Sequence, residues 1–270
     1  MSIHPTAVVD PKAELDESVE VGPFCVIEKH VRVAAGCRLY QGVFLTGWTS
    51  IGENCELHPG CVVGHAPQDT KYGGQRTFCR IGKGNVIREY VTIHRGAVPE
   101  SETVIGDDCF LLAGSHVGHN CAIGNGVTLI NNVMLAGHVT IEDRAIISGG
   151  AGVHQFVRIG SLALVGGNAG VQMDIVPFAL VDRSGRIAGI NRIGLRRADT
   201  PQDDIHEIRE GYRCLFDSEL SIPAAAEKLV ETVSTPCGKK LSDFLQGESK
   251  RGFAGRSRGR RDSADEESPD

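Results

Sequence analysis

Four histidines stand close together in the middle of this 270-residue chain: His116, His119, His138 and His154. Imidazole takes or gives a proton near neutral pH, with an ordinary pKa of about 6.5. It is also a common zinc ligand. Whether the four converge depends on the period of the sequence that carries them. Around them, from Ile105 to Val171, an aliphatic residue recurs at every sixth position without a miss. The same series runs from Ile3 to Val63 and resumes at Ile81, Ile87 and Ile93. All 26 of these positions are Ile, Leu or Val.

A six-residue period marks a parallel β-helix. Each hexad reads as a short strand and a turn, with the aliphatic residue pointing inward. Four residues later comes a small or β-branched residue, as at Cys25, Cys37, Cys55, Cys61, Cys109 and Cys121. These six of the nine cysteines therefore read as small core residues rather than a disulfide or metal framework. Coils pair in parallel about 4.8 Å apart, and none buries its inner face alone, so many must stack. The expected fold is an all-β solenoid over residues 1–176, followed by a small α-helical domain. Residues 67–80 and 95–104 lack the aliphatic column and read as loops. Residues 177–199 read as a connector and 200–246 as helices, with Thr200-Pro201 as an N-cap and first helical residue. Residues 247–270, rich in Gly, Ser, Arg and acid, read as a disordered tail.

If one coil takes three hexads, His138 lies one coil above His119 and His154 two coils above. His65 joins that edge once the loops are discounted. The period thus places a histidine site beside a polar loop. Its chemistry is general base catalysis or, as a rival, zinc binding.

Net charge is −6, with no long basic run before residue 240, which argues against nucleic acid as partner. No apolar run approaches a membrane span, and the N-terminus shows no signal peptide. A cytoplasmic protein is expected.

Several motifs go beyond the generic hexad. They are His116-Val117-Gly118-His119-Asn120-Cys121, Leu135-Ala136-Gly137-His138-Val139, Val153-His154-Gln155-Phe156 and Pro67-Gln68-Asp69-Thr70-Lys71. With Ile87 to Gly96 and Asn191 to Arg197, they resemble the UDP-N-acetylglucosamine acyltransferases that begin lipid A synthesis. The resemblance runs from about residue 1 to Gly252. It implies three hexads per coil, left-handed winding and a cytoplasmic homotrimer with active sites between neighbouring prisms. It also implies transfer of a 3-hydroxyacyl group from acyl carrier protein to the glucosamine 3-hydroxyl of UDP-N-acetylglucosamine, with no cofactor and no metal. By resemblance, His119 is the general base and the Gly137 N–H stabilises the oxyanion. His116, His138, His154 and Gln155 line the substrate groove. Asp69 and Lys71 contact the sugar nucleotide, Asn191 and Arg197 bind the nucleotide, and Gly167 leaves room for a longer acyl chain.

Three positions depart from the pattern. Asn120 stands where many relatives carry aspartate, Ile193 where an acidic residue is usual, and Ala198 where another arginine is usual. An acidic carrier protein also requires a local basic patch, expected at Arg209, Arg213 and Lys228. Competing readings are an N-acyltransferase of the same pathway, a hexapeptide-class carbonic anhydrase and a non-catalytic scaffold. The N-acyltransferase needs a preceding uridine-binding domain, and the hexads here begin at Ile3.

Overall fold

The computed structural model describes residues 2–257. Its body is a three-faced prism of parallel strands, most of them two residues long. Face one begins with Ser2–Ile3, face two with Val8–Val9 and face three with Glu14–Leu15. Successive coils pair three hexads apart, as in Ser2↔Glu20 and Glu20↔Arg38. In the short strands one residue points out and its neighbour is buried. The inward series Leu39, Leu57, Ile87, Leu111, Leu129 and Ile147 is almost wholly shielded from solvent. Their regular stacking explains the unbroken aliphatic column, since each coil covers the core of the next.

Cys25, Cys37, Cys55, Cys61, Cys79, Cys109 and Cys121 are all free and buried. Burial pushes the Cys61 and Cys121 thiols up to about 12, so they pack as inert hydrophobes.

The register widens to five hexads from Glu56 to Val86 and to four from Val86 to Phe110. The first insertion thus adds the length of two hexads to an ordinary coil, and the second adds one. Both loops are shorter than their composition suggested. Phe78–Ile81 and Glu102–Ile105 are four-residue strands on face three, paired to each other through Phe78↔Glu102. Cys79 and Thr103 point inward there, so the polar appearance of these stretches comes from their outward residues. The loops interlock. The Arg95 guanidinium donates to the Gly64 carbonyl and to the Tyr72 hydroxyl, and the Gln75 amide donates to the Ala97 carbonyl.

The segment expected as a connector carries structure of its own. Leu164 pairs in parallel with Leu180, and the strand Ala179–Val181 then pairs antiparallel with Ile187–Ile190. A short helix, α1, follows over Arg192–Arg197, and Asn191 caps it. Three longer helices follow: α2 over Gln202–Phe216, α3 over Ile222–Thr232 and α4 over Pro236–Gln246. Ser221 and Thr235 cap α3 and α4 through their hydroxyls, each followed by an early proline. At α2 the expected cap shifts by one residue. Pro201 itself holds the cap position, and no side chain satisfies the first amides.

The tail departs most from expectation. Asp174 bridges in parallel to Phe253, and Ile187 to Arg256, so residues 249–257 form a strap across the last coils. The Asp174 N–H donates to the Gly252 carbonyl, and the Ala254 N–H donates back to the Asp174 carbonyl. The disorder expected from composition therefore fails for this segment, because backbone pairing needs no apolar side chains. The remainder of that expectation, from residue 258 onward, lies outside the described residues.

Candidate active site

The turn between faces two and three repeats on every coil and carries the histidines. His119 and Asn120 occupy it on one coil, Gly137 and His138 on the next, Gln155 and Phe156 on the one above. Asn120, His138 and Phe156 all have left-handed backbone, with φ of 60°, 60° and 69°. That conformation costs a non-glycine residue of order 1 kcal/mol, least for asparagine. The turn keeps it because the next coil fixes both ends. The His138 N–H, for instance, donates to the His119 carbonyl at 2.9 Å.

His119 is half-buried, and its Nδ1 lies 3.0 Å from Oδ1 of Asn120. The same Oδ1 accepts the Ala97 N–H at 2.9 Å, and the Asn120 N–H donates to the Thr103 hydroxyl at 2.8 Å. A backbone N–H must point at an oxygen, so the Asn120 amide is oriented with its oxygen toward His119. An amide oxygen accepts but does not donate. The His119 proton therefore sits on Nδ1, which leaves Nε2 with a free lone pair. Asn120 sets the tautomer, as a carboxylate would, but brings no charge.

Gly137 lies directly above this ring. A Cβ at residue 137 would come within 2.5 Å of His119 Cε1 and 2.6 Å of Nε2. Only glycine lets the backbone approach the imidazole that closely. The Gly137 N–H has no acceptor among the described residues, so it is available to a bound oxyanion.

The other rings pack around this pair. His138 meets His119 edge to face at 5.1 Å, and Phe156 stacks on His138 at 4.8 Å. Burial, then the neighbouring His119 and Lys250, hold His138 below the ordinary imidazole value, while Asp69 pulls the other way. Asp69 of the first loop is thus near enough to act on His138. Its carboxylate accepts the Lys71 N–H at 2.9 Å, and the Lys71 side chain is exposed. His116 is held by a 2.7 Å hydrogen bond to the Thr92 hydroxyl, and burial lowers its pKa. His154 and Gln155 lie on the same edge, His154 exposed and Gln155 half-buried.

Reasoning from the sequence missed His94. It lies edge-on to His116 at 4.8 Å and 6.3 Å from His65. Burial and the surrounding imidazoles push it down to about 4, so it is neutral at physiological pH. The loop count that brought His65 onto this edge carries the signal. Extended from His65 by one coil and one loop, it lands on His94, which is its strand partner.

Three expected site residues lie elsewhere on the chain. Asn191 and Arg197 flank α1 at the edge between faces three and one. The Asn191 amide is occupied at both ends, accepting the Gly194 N–H and donating to the Leu162 carbonyl. It therefore acts as a helix cap and tether. Arg197 is exposed. Gly167 sits at the third edge, between faces one and two, where a Cβ would meet only the Gly149 carbonyl, at 3.6 Å.

A hexapeptide prism with an oriented imidazole on its edge defines a class, the hexapeptide transferases. Residues 102–137 match the model of the bacterial transferase hexapeptide repeat. Residues 174–254 match a narrower one, UDP-N-acetylglucosamine O-acyltransferase domain 2. An acyl-[acyl-carrier-protein]–UDP-N-acetylglucosamine O-acyltransferase of Sinorhizobium fredii is 40% identical over 95% of this chain and 96% of its own length. That of Thermodesulfovibrio yellowstonii is 42% identical over 93% and 98%. The crystal structure of UDP-N-acetylglucosamine acyltransferase from Francisella novicida superposes with a TM-score of 0.91 at 32% identity, covering 95% of each chain. The chain belongs to the acyl-[acyl-carrier-protein]–UDP-N-acetylglucosamine O-acyltransferase family, and its prism is the left-handed β-helix of that family.

Proposed function

We propose that this enzyme transfers a 3-hydroxyacyl group from acyl carrier protein to the 3-hydroxyl of UDP-N-acetylglucosamine, the first step of lipid A synthesis, in the cytoplasm. The observation that carries the mechanism is the fixed tautomer of His119 beneath Gly137. Nε2 takes the proton from the sugar hydroxyl as that oxygen attacks the thioester carbonyl. The carbonyl oxygen gains the negative charge, and the Gly137 N–H donates to it. Collapse of the intermediate breaks the C–S bond, and the departing thiolate takes the proton from Nε2. A thioester is already activated, so no covalent enzyme intermediate is required. His116, His138, His154 and Gln155 line the acceptor and donor groove, with Asp69 and Lys71 toward the sugar nucleotide.

The outward residues support a homotrimer. Face two presents Val8, Val26 and Met134, and face one presents Phe110 and Leu180, all exposed. Face three is polar, with Arg32 paired to Glu14 and Arg80 to Glu102. The first coils of face one are polar as well, with Arg38 paired to Glu20, but from Val86 upward its outward residues are mostly apolar. Face two and this upper part of face one fit a prism that packs against two neighbours. In such a trimer Arg197 and Gly167 of neighbouring chains complete the groove, Arg197 at the nucleotide and Gly167 where the acyl chain ends. The carrier protein docks on the helices, where Arg192, Arg209, Arg213 and Arg256 line one cleft and Lys228 an adjacent one.

The zinc reading has no such support. Among the described residues no three His, Cys, Asp or Glu side chains converge as a ligand set. The deciding experiment is acyl transfer with purified acyl carrier thioester and UDP-N-acetylglucosamine. His119→Ala should lower kcat by about 10²–10⁴-fold. Full activity in that variant would overturn the reading.

A further inference from the structure

Lys250 stands at the upper end of the histidine stack on a segment that composition alone marks as disordered. Its ammonium lies 5.0 Å over the Phe156 ring, and that ring stacks on His138. The strap holds it there. Arg251 Nε donates to the Gln172 carbonyl at 3.0 Å, the Gly252 N–H donates to the Ser249 hydroxyl, and Asp174 pairs with Phe253. Lys250 is exposed, and it has no carboxylate within ion-pair distance among the described residues. A fixed, unpaired cation on the reaction edge calls for an anion from the substrate. Asp69 of the first loop also acts on His138, with the opposite sign to Lys250.

From these contacts we infer that Lys250 binds a phosphate of the acyl donor, the phosphodiester of the pantetheine arm that carries the thioester. The inference rests on the transferase reading above. An arm that leaves a carrier docked on the helices must run down this edge to reach His119. Its amides and hydroxyls are neutral, and the phosphodiester is its one charge. Lys250 lies over Phe156, one coil above His138, and close in sequence to the end of α4 at Gln246. The Phe156 ring carries the charge at its face and presents an apolar edge to the arm. The contact is ionic rather than bidentate, as suits a lysine.

The test compares wild type, Lys250→Met and Lys250→Arg with two carrier-free donors, acyl-phosphopantetheine and acyl-pantetheine. Wild type should prefer the phosphorylated donor by about tenfold in kcat/KM, as expected for a charge-assisted contact. Lys250→Met should lose that preference with its kcat and its KM for the sugar nucleotide unchanged. Lys250→Arg should keep most of it. An undiminished preference in Lys250→Met overturns the inference, as does a raised KM for UDP-N-acetylglucosamine instead. Calorimetric binding of phosphopantetheine against pantetheine reads the same site without turnover. A wild type that binds the phosphorylated arm more tightly yet transfers no acyl group would refute the functional reading alone. Equal binding of the two arms would refute the role of Lys250.

Discussion

Asn120 presents the imidazole through an amide oxygen, and that choice has a measurable consequence. The oxygen fixes the Nδ1–H tautomer but adds no charge to offset the imidazolium formed as the sugar hydroxyl loses its proton. In Asn120→Asp the carboxylate would still accept from the Ala97 and His119 N–H groups and would favour protonated His119. The acidic limb of the kcat/KM profile should move to higher pH than in wild type. Asn120→Ala should lower kcat about 10–100-fold through loss of orientation. It should also cost about 1–3 kcal/mol, because the buried Ala97 N–H loses its acceptor and alanine tolerates the left-handed backbone less well. Equal pH profiles in wild type and Asn120→Asp would show that Asn120 does not face the working tautomer. The sequence showed Asn120 beside the base but not what holds it, because Ala97 comes from the loop insertion and Thr103 from the strand after it. His94 was hidden for a related reason: only the loop-corrected register shows that it lies over His65. Being 6% exposed and pushed down to about 4, His94 also makes folding sensitive to acid. In the unfolded chain it binds a proton below about pH 6.5, and in the folded chain only below about 4. The stability tied to its neutral form is whole above pH 6.5 and is lost as pH falls from there toward 4, by about 3 kcal/mol. His94→Gln should flatten the fall in melting temperature across that window. An unchanged slope would assign the acid sensitivity to other groups.

Among the elements, the prism was legible because its code is local. One aliphatic residue every sixth position specifies an inward strand residue, and the three-hexad register follows from stacking. The loops were legible as breaks, though their ends were not, since Phe78–Ile81 and Glu102–Ile105 show a polar outward face on a buried inward one. The strap was illegible because its attachment is mostly backbone hydrogen bonding, with one ion pair of its own, Arg256 to Asp217. Arg158 holds the coil residue with which the strap pairs. Its backbone N–H and Nε both donate to the Asp174 carboxylate at 2.8 Å, and its guanidinium lies 4.4 Å from the Phe244 ring and 5.7 Å from Phe253. The Asp174 side chain is fully buried. It thus joins the last coils, α4 and the strap. Removing one partner of a buried pair strands the other charge, which typically costs about 3–5 kcal/mol. Asp174→Ala should therefore destabilise the protein by that order in chemical denaturation. It should also speed proteolytic cleavage within residues 249–257, while His119 keeps its contacts. A variant that loses stability without loosening the strap would place the pair's role in the prism alone.

For the whole molecule, the distribution of site residues over three edges of one prism is the governing fact. His119, Gly137 and His138 lie on the edge between faces two and three, Arg197 near the edge between three and one, and Gly167 on the edge between one and two. A rigid prism cannot bend to bring these edges together, because every coil is locked by its neighbours at a fixed register. If all of these residues serve one reaction, different chains must supply them, and apolar face two with the upper coils of face one gives the means. Closed rotational symmetry then places each chain's histidine edge against a neighbour's arginine. Mixed oligomers test this directly. His119→Ala chains retain Arg197, and Arg197→Glu chains retain His119, so either variant alone lacks one half of every site. Co-expressed in equal amounts, random trimers would pair a good histidine edge with a good arginine edge in one site out of four. About a quarter of the wild-type rate should return. If both residues serve a site within one chain, every chain in the mixture is defective, and activity stays at the level of the separate variants.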